Sequence, residues 1–109
     1  MLASDAHQQL INSLVSRSAD QVSTTLQDEV VILNVKTGKY YNLNPVGSRI
    51  WELIEQPASV NLIVDAIMNE YNVERERCLQ DISNILQSMQ GAGLIDMVVG
   101  GATSTVLDT

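Results

Sequence analysis

The sequence predicts an α+β domain, a three-stranded antiparallel sheet followed by three helices. Three observations lead there. Glu29–Val35 is a β-branched run that turns at Lys36-Thr37-Gly38 and returns through Lys39–Leu43, the composition and punctuation of a hairpin. Asn44-Pro45 and Ser59 then open segments with apolar residues at helical spacing, and these residue types suit a helix start. The last two helical segments are joined only by Asn72-Val73. Strands followed by helices across a short turn give a winged helix-turn-helix-like order.

Taken along the chain, residues 1–20 form an N-terminal extension. Ser4 can cap a helix running to about Val15, with Leu2, Ala6, Leu10 and Leu14 four apart and Ile11 and Val15 beside them. It reads either as a terminal helix covering part of the core or as a docking helix. Residues 21–97 form the domain. Val22–Leu26 is its first strand, and Gln27-Asp28 a tight polar turn into the second. In such a meander the third strand, Lys39–Leu43, can lie at an open edge. Tyr41 and Leu43 share one face of it, Tyr40 and Asn42 the other. Val46, Ile50, Leu53 and Ile54 stripe the first helix. The second runs from Val60 to about Tyr71, with Ile63, Ile67 and Tyr71 inward. The third runs from about Glu74 to Gln90, over core positions Cys78, Ile82, Ile85, Leu86 and Met89. Gly91 and Gly93 can end it, and Leu94–Val99 is a short extended segment. Residues 98–109 read as a flexible C-terminal tail, without periodicity from Gly100 onward.

Composition narrows the function. The 109 residues suit one small domain. No apolar run approaches a membrane span, and no secretory signal opens the chain. A single cysteine cannot form an internal disulfide, so a reduced cytoplasmic protein is expected. Thirteen acidic residues against six basic ones give a formal charge of −7, and no Lys or Arg follows Arg77. Nucleic-acid and anionic-membrane binding both need the opposite balance.

No constellation here carries catalysis. His7 is the only histidine, too few for a zinc cluster. Cys78 lies on the inward stripe of the third helix, as a small buried hydrophobe does. Glu74, Glu76 and Asp81 alternate with Arg75 and Arg77 as a solvated, paired surface. No cofactor, no metal and no enzymatic activity are expected. What remains is a binding module. A peptide laid along the open third strand gains main-chain hydrogen bonds, and pockets for alternate side chains select it. On the third helix Arg77, Asp81, Asn84 and Ser88 fall together beside the core stripe, with Ile85 at its boundary, and can form the opposite wall.

The run Leu33-x-x-Lys36-Thr37-Gly38-Lys39-Tyr40-Tyr41-x-Leu43-Asn44-Pro45, followed by Ile50-Trp51-x-Leu53, resembles the PqqD-like family of precursor-peptide recognition domains. The resemblance spans roughly Val22 to Ile95, including Asp81-Ile82, Ile85-Leu86, Met89 and Gly93-Leu94-Ile95. It implies binding of the leader of a ribosomally made precursor as a fourth strand, and its presentation to maturation enzymes. The positions it implies are Lys39, Tyr40, Tyr41, Asn42 and Leu43 on the strand, and Asp81, Asn84, Ile85 and Ser88 on the helix. The Thr37–Pro45 segment looks most like stand-alone members of lasso-peptide clusters, where the partner is a leader peptidase. The alternative within the family is a chaperone for pyrroloquinoline quinone synthesis working with a radical enzyme. One departure is Glu74, where members often have Asp, the better cap. The alternative of another class is a DNA-binding winged helix, which would have to carry Glu74, Glu76 and Asp81 into a groove.

Overall fold

The computed structural model describes residues 9–99. In order these are β1 (Leu14–Arg17), β2 (Gln21–Leu26), β3 (Glu29–Asn34), β4 (Lys39–Asn42), α1 (Pro45–Leu53), β5 (Ala58–Ser59), α2 (Val60–Glu70), α3 (Arg75–Gly91) and β6 (Ile95–Val98). The architecture is α+β. Among the described residues there are two antiparallel sheets of three strands, β2-β3-β4 and β5-β1-β6, rather than the one sheet expected.

The expected meander is the first of these. Gln27 and Asp28 both take positive φ, 53° and 70°, as a two-residue turn matching strand twist requires. Along β3, Val30, Ile32 and Asn34 are buried while Val31 and Leu33 are half-exposed, the period of two that presents one face to a core. Across the opposite face, Val22, Leu33 and Tyr40 are cross-strand neighbours in one row.

The second sheet corrects the reading of the N-terminal region. Residues 9–11 are helical, but Val15 is not. Ser13 closes the turn, its N–H donating to Leu10 O (3.0 Å) and its hydroxyl to Gln9 O (2.8 Å). Leu14–Arg17 then runs extended between β5 and β6, with Val15 opposite both Ala58 and Met97. The four-residue spacing of Leu10/Leu14 and Ile11/Val15 fits a helical stripe. It fits equally a helix that stops and a following strand that buries Val15 while exposing Leu14. The other expected helical residues, Leu2, Ser4, Ala6 and His7, lie outside the described residues, as does the expected tail from Gly100 to Thr109. Val98 belongs to β6.

Arg17 and Trp51 tie the second sheet to the rest. The guanidinium lies 4.5 Å from the Trp51 ring centroid and donates to the Trp51 carbonyl through Nε (3.2 Å) and a terminal nitrogen (2.7 Å). Trp51 Nε1 donates to Ser23 Oγ of β2 at 3.1 Å. A cation over an indole gains from the ring quadrupole as well as from these hydrogen bonds.

The helix starts follow their capping residues. Asn44 Oδ1 accepts from Gly47 N–H, and Pro45 is the first residue of α1. Ser59 Oγ accepts from Leu62 N–H at the start of α2. Glu74 is the α3 cap and makes no side-chain cap bond. The end of α3 is capped: Leu94 N–H reaches Met89 O and Gly93 N–H reaches Gln90 O, with Gly93 at φ +76°. This is the Schellman arrangement, which needs a left-handed residue there. Gly91 remains inside the helix.

The buried face of α3 is Cys78, Leu79, Ile82, Leu86 and Met89, and it packs into one core with Ile32, Ile50 and Trp51. Each large apolar side chain fully buried there contributes about 1.5–3 kcal/mol. That face fixes the rotation of the helix, and so determines what Asp81, Asn84, Ile85 and Ser88 confront. Tyr71 departs from expectation. It is the α2 cap, with extended backbone and 37% exposure, rather than an inward core residue.

Candidate functional site

Among the described residues β4 pairs with β3 alone, so its far side is an open edge. Leu43 N–H donates to Val30 O at 2.9 Å. Antiparallel ladders alternate, so Tyr41, opposite Ile32, also turns its backbone toward β3. The N–H and C=O groups of Tyr40 and Asn42 then point to the open edge.

Both ends of this strand are pinned. At its C-terminal end, the buried Ser48 hydroxyl accepts from Val30 N–H (3.1 Å) and donates to Leu43 O (3.2 Å). A helix side chain thereby completes the last rung of the sheet. At its N-terminal end, Asn34 Oδ1 accepts from Lys36 N–H (2.9 Å) and Thr37 N–H (3.2 Å), while Asn34 Nδ2 donates to Ala92 O (2.9 Å). The hairpin leading into β4 is thus fastened to the end of α3.

Between β4 and α3 runs a groove. A cavity of about 200 Å³ is lined by Asn42, Leu43 and Asn44 on one side and by Ile85, Ser88 and Met89 on the other, with Gly47 beneath. Asn44 and Ile85 also line a larger cavity of about 400 Å³. Val46, Ile67, Ile82 and Cys78 wall the latter, with Tyr71, Val73, Asp81 and Asn84 around them. Arg49 braces α1 against α2 beside it, bonding both Glu70 oxygens through Nε (3.0 and 3.0 Å) and Glu52 through a terminal nitrogen (3.1 Å). Those hydrogen bonds, Glu70 first, hold the Arg49 pKa above its usual value.

Of the residues expected to form a site, Asn42, Leu43, Asp81, Asn84, Ile85 and Ser88 line these two cavities. Lys39, Tyr40 and Tyr41 line neither. Tyr41 packs against the core, and Tyr40 is 70% exposed on the outer face. Arg77 lines neither cavity, but lines a neighbouring polar cleft with Glu74, Gln80 and Asn84. Its contact with Asp81, 3.9 Å between exposed groups, is worth little. Sequence reasoning missed Gly47, Ser48, Tyr71 and Val73. The asparagine-proline start marks the helix, but no local signal says which of its residues floor a groove.

Cys78 is 2% exposed within the larger cavity. Burial, with Asp81 adding to it, pushes its thiol up from the usual range, so the thiol is neutral and a poor nucleophile at neutral pH. Among the described residues no three His, Cys, Asp or Glu side chains gather at metal-binding range.

These features define a small α+β domain with an open strand edge set against a helix across a concave groove. The chain belongs to the PqqD family: residues 29–95 match the model for coenzyme PQQ synthesis protein D (PqqD). It is similar in structure to TbiB1 in complex with the TbiA(beta) leader peptide. The TM-score is 0.72 and the identity 40%, over 74% of this chain and 94% of that one. It also shares the fold of a lasso peptide synthetase B1 complexed with the leader peptide. There the TM-score is 0.69 and the identity 21%, over 75% of this chain and 96% of that one. No curated protein matches.

Proposed function

We propose that this chain binds the leader segment of a ribosomally synthesised precursor by strand addition to β4. It then presents the bound precursor to maturation enzymes, a leader peptidase first among them, in lasso-peptide biosynthesis. The observation that carries this reading is the open edge of β4, which at Asn42 faces Ile85 and Ser88 of α3 across a groove. An extended peptide there gains ladder hydrogen bonds on one side and side-chain contacts on the other. The 40% identity to TbiB1, held in its structure with a leader peptide, supports the choice of ligand. The Thr37–Pro45 hairpin segment supports the pathway. In this reading Lys39, Tyr40, Tyr41, Asn42 and Leu43 contribute the strand, and Asp81, Asn84, Ile85 and Ser88 the helix wall.

The protein acts as a non-catalytic cytoplasmic adaptor. We read β2–β4 as the wing and α2–α3 as the helix pair of a winged helix-turn-helix-like unit turned to peptide binding. Its recognition domain spans residues 21–97, with β1 lent by the extension before it.

The test is affinity for a fluorescently labelled leader from the precursor in the same gene cluster. Asn42→Pro removes an N–H that faces the open edge while taking no bond from β3, a position where a strand tolerates proline. It should weaken leader binding tenfold or more (on the order of 1–2 kcal/mol) with the fold intact by circular dichroism. Gln80→Ala, on the exposed far side of α3, should bind as wild type. A folded Asn42→Pro variant that binds the leader with wild-type affinity would rule out strand addition at β4.

A further inference from the structure

Gly47 stands where helix formation alone would favour alanine. It is the third residue of α1, it is buried, and its φ is not in the left-handed region. No turn geometry therefore asks for glycine. What is distinctive is where a side chain would go. A Cβ built on Gly47 lies 3.4 Å from Leu43 Cβ and 3.8 Å from Met89 Cε. It would occupy the seam between the end of β4 and α3, at the base of the 200 Å³ cavity. It would also lie 3.1 Å from Asn44 Oδ1. That oxygen belongs to an exposed side chain and can shift by a few tenths of an ångström while keeping its bond to Gly47 N–H.

We propose that Gly47 is a specificity-determining position of the groove. Its missing side chain keeps the seam deep enough to admit one bulky side chain of the added strand. Leu43, Ile85 and Met89 wall the seam around Gly47, with Asn42, Asn44 and Ser88 completing the cavity's lining, so the side chain admitted is apolar where it meets the seam. This rests on the leader-binding reading above and adds a size limit at one position of the peptide. The limit is set from the helix that follows β4, not from β4 or α3.

The experiment pairs variants of the intact chain with trimmed peptides. The probes are the labelled leader of the precursor in the same gene cluster and a series in which each apolar residue is replaced singly by alanine. Gly47→Ala should weaken the parent leader roughly tenfold. One trimmed peptide in the series, and not the others, should recover most of that loss. Ser88→Leu fills the same seam from the α3 wall without touching the α1 cap. It should show the same loss and the same rescuing peptide, and it decides the matter if Gly47→Ala does not fold. A purely structural role would weaken all peptides by one factor. Parallel losses across the series, or no loss at all, overturn the inference while leaving strand addition standing. Failure of wild type to bind any of the peptides overturns both.

Discussion

Asn34 Nδ2 donates to the carbonyl of Ala92 at 2.9 Å, joining the end of β3 to the residue that closes α3. The same side chain caps the turn into β4 through Lys36 and Thr37 N–H. Asn34 therefore holds the two walls of the groove at a set separation. The packing is close: a Cβ on Gly93 would come within 2.8 Å of Asn34 Nδ2.

Asn34→Ala should therefore act twice. Asn34 is only 5% exposed, and its loss strands the Ala92 carbonyl and two turn N–H groups. A buried polar group left unpaired costs about 1–3 kcal/mol, so a loss of stability of that size, read as a lower urea midpoint, is expected. Leader affinity should also fall in conditions where the variant is fully folded, because the spacing of β4 and α3 relaxes. A destabilised variant with undiminished leader affinity would show that Asn34 does not set the groove.

The contrast between Asn34 and its neighbours explains what could be read in advance. Lys36-Thr37-Gly38, Asn44-Pro45 and Ser59 act within a few residues of themselves, so composition reveals them. Most of the α3 stripe is legible because helical periodicity reports burial directly: Cys78, Ile82, Leu86 and Met89 are buried as expected, whereas Ile85 is half-buried and Leu79, not expected, is buried. Asn34 looks like any polar residue at a strand end, since its decisive partner is 58 residues away. The pairing of β1 with β6 is longer still in sequence, and Leu14 and Val15 conform to two periodicities at once. The wheel groups Asp81, Asn84, Ile85 and Ser88, which line the two cavities, but also Arg77, which lines neither. The floor supplied by Gly47 and the brace supplied by Ser48 are not legible, because both depend on what α1 packs against.

The start of α3 offers room for improvement. Glu74 sits at the cap with extended backbone and no side-chain bond to the helix. Aspartate is one methylene shorter and a preferred cap. Glu74→Asp should raise stability by about 0.5–1 kcal/mol, read as a higher urea midpoint with an unchanged slope. An unchanged or lowered midpoint would mean that the first turn is held by packing, leaving the cap irrelevant.

Cys78 supplies a reporter of the groove. Because burial first and Asp81 second raise its pKa, little thiolate forms at pH 8. Iodoacetamide should label the native protein roughly tenfold or more slowly than the urea-unfolded chain at that pH. The rate should increase as pH rises toward the elevated pKa. Bound leader should slow it further, since Cys78 lines a cavity that shares Asn44 and Ile85 with the groove. Rapid native labelling at pH 8 would contradict the buried, neutral thiol.

Adjacent tyrosines on β4 should separate stability from recognition. Tyr41 lies opposite Ile32 and packs against the core, whereas Tyr40 is 70% exposed beside Leu33. Truncating a packed aromatic costs about 3 kcal/mol or more when it is fully buried. Tyr41 is only partly buried, so Tyr41→Ala should lower stability by roughly half that. Tyr40→Ala should leave the urea midpoint nearly unchanged. A strand added at the open edge brings its own side chains beside Tyr40 on the outer face, at the cross-strand spacing where aromatic pairs interact. Tyr40→Ala should therefore weaken leader binding by about 0.5–1 kcal/mol, some two- to fivefold, through contact alone. The two variants thus move opposite readouts: denaturation for Tyr41, fluorescence polarisation with the labelled leader for Tyr40. If Tyr40→Ala binds as wild type while Asn42→Pro does not, the peptide is held by its backbone and by α3, and the outer face of the sheet takes no part in reading it.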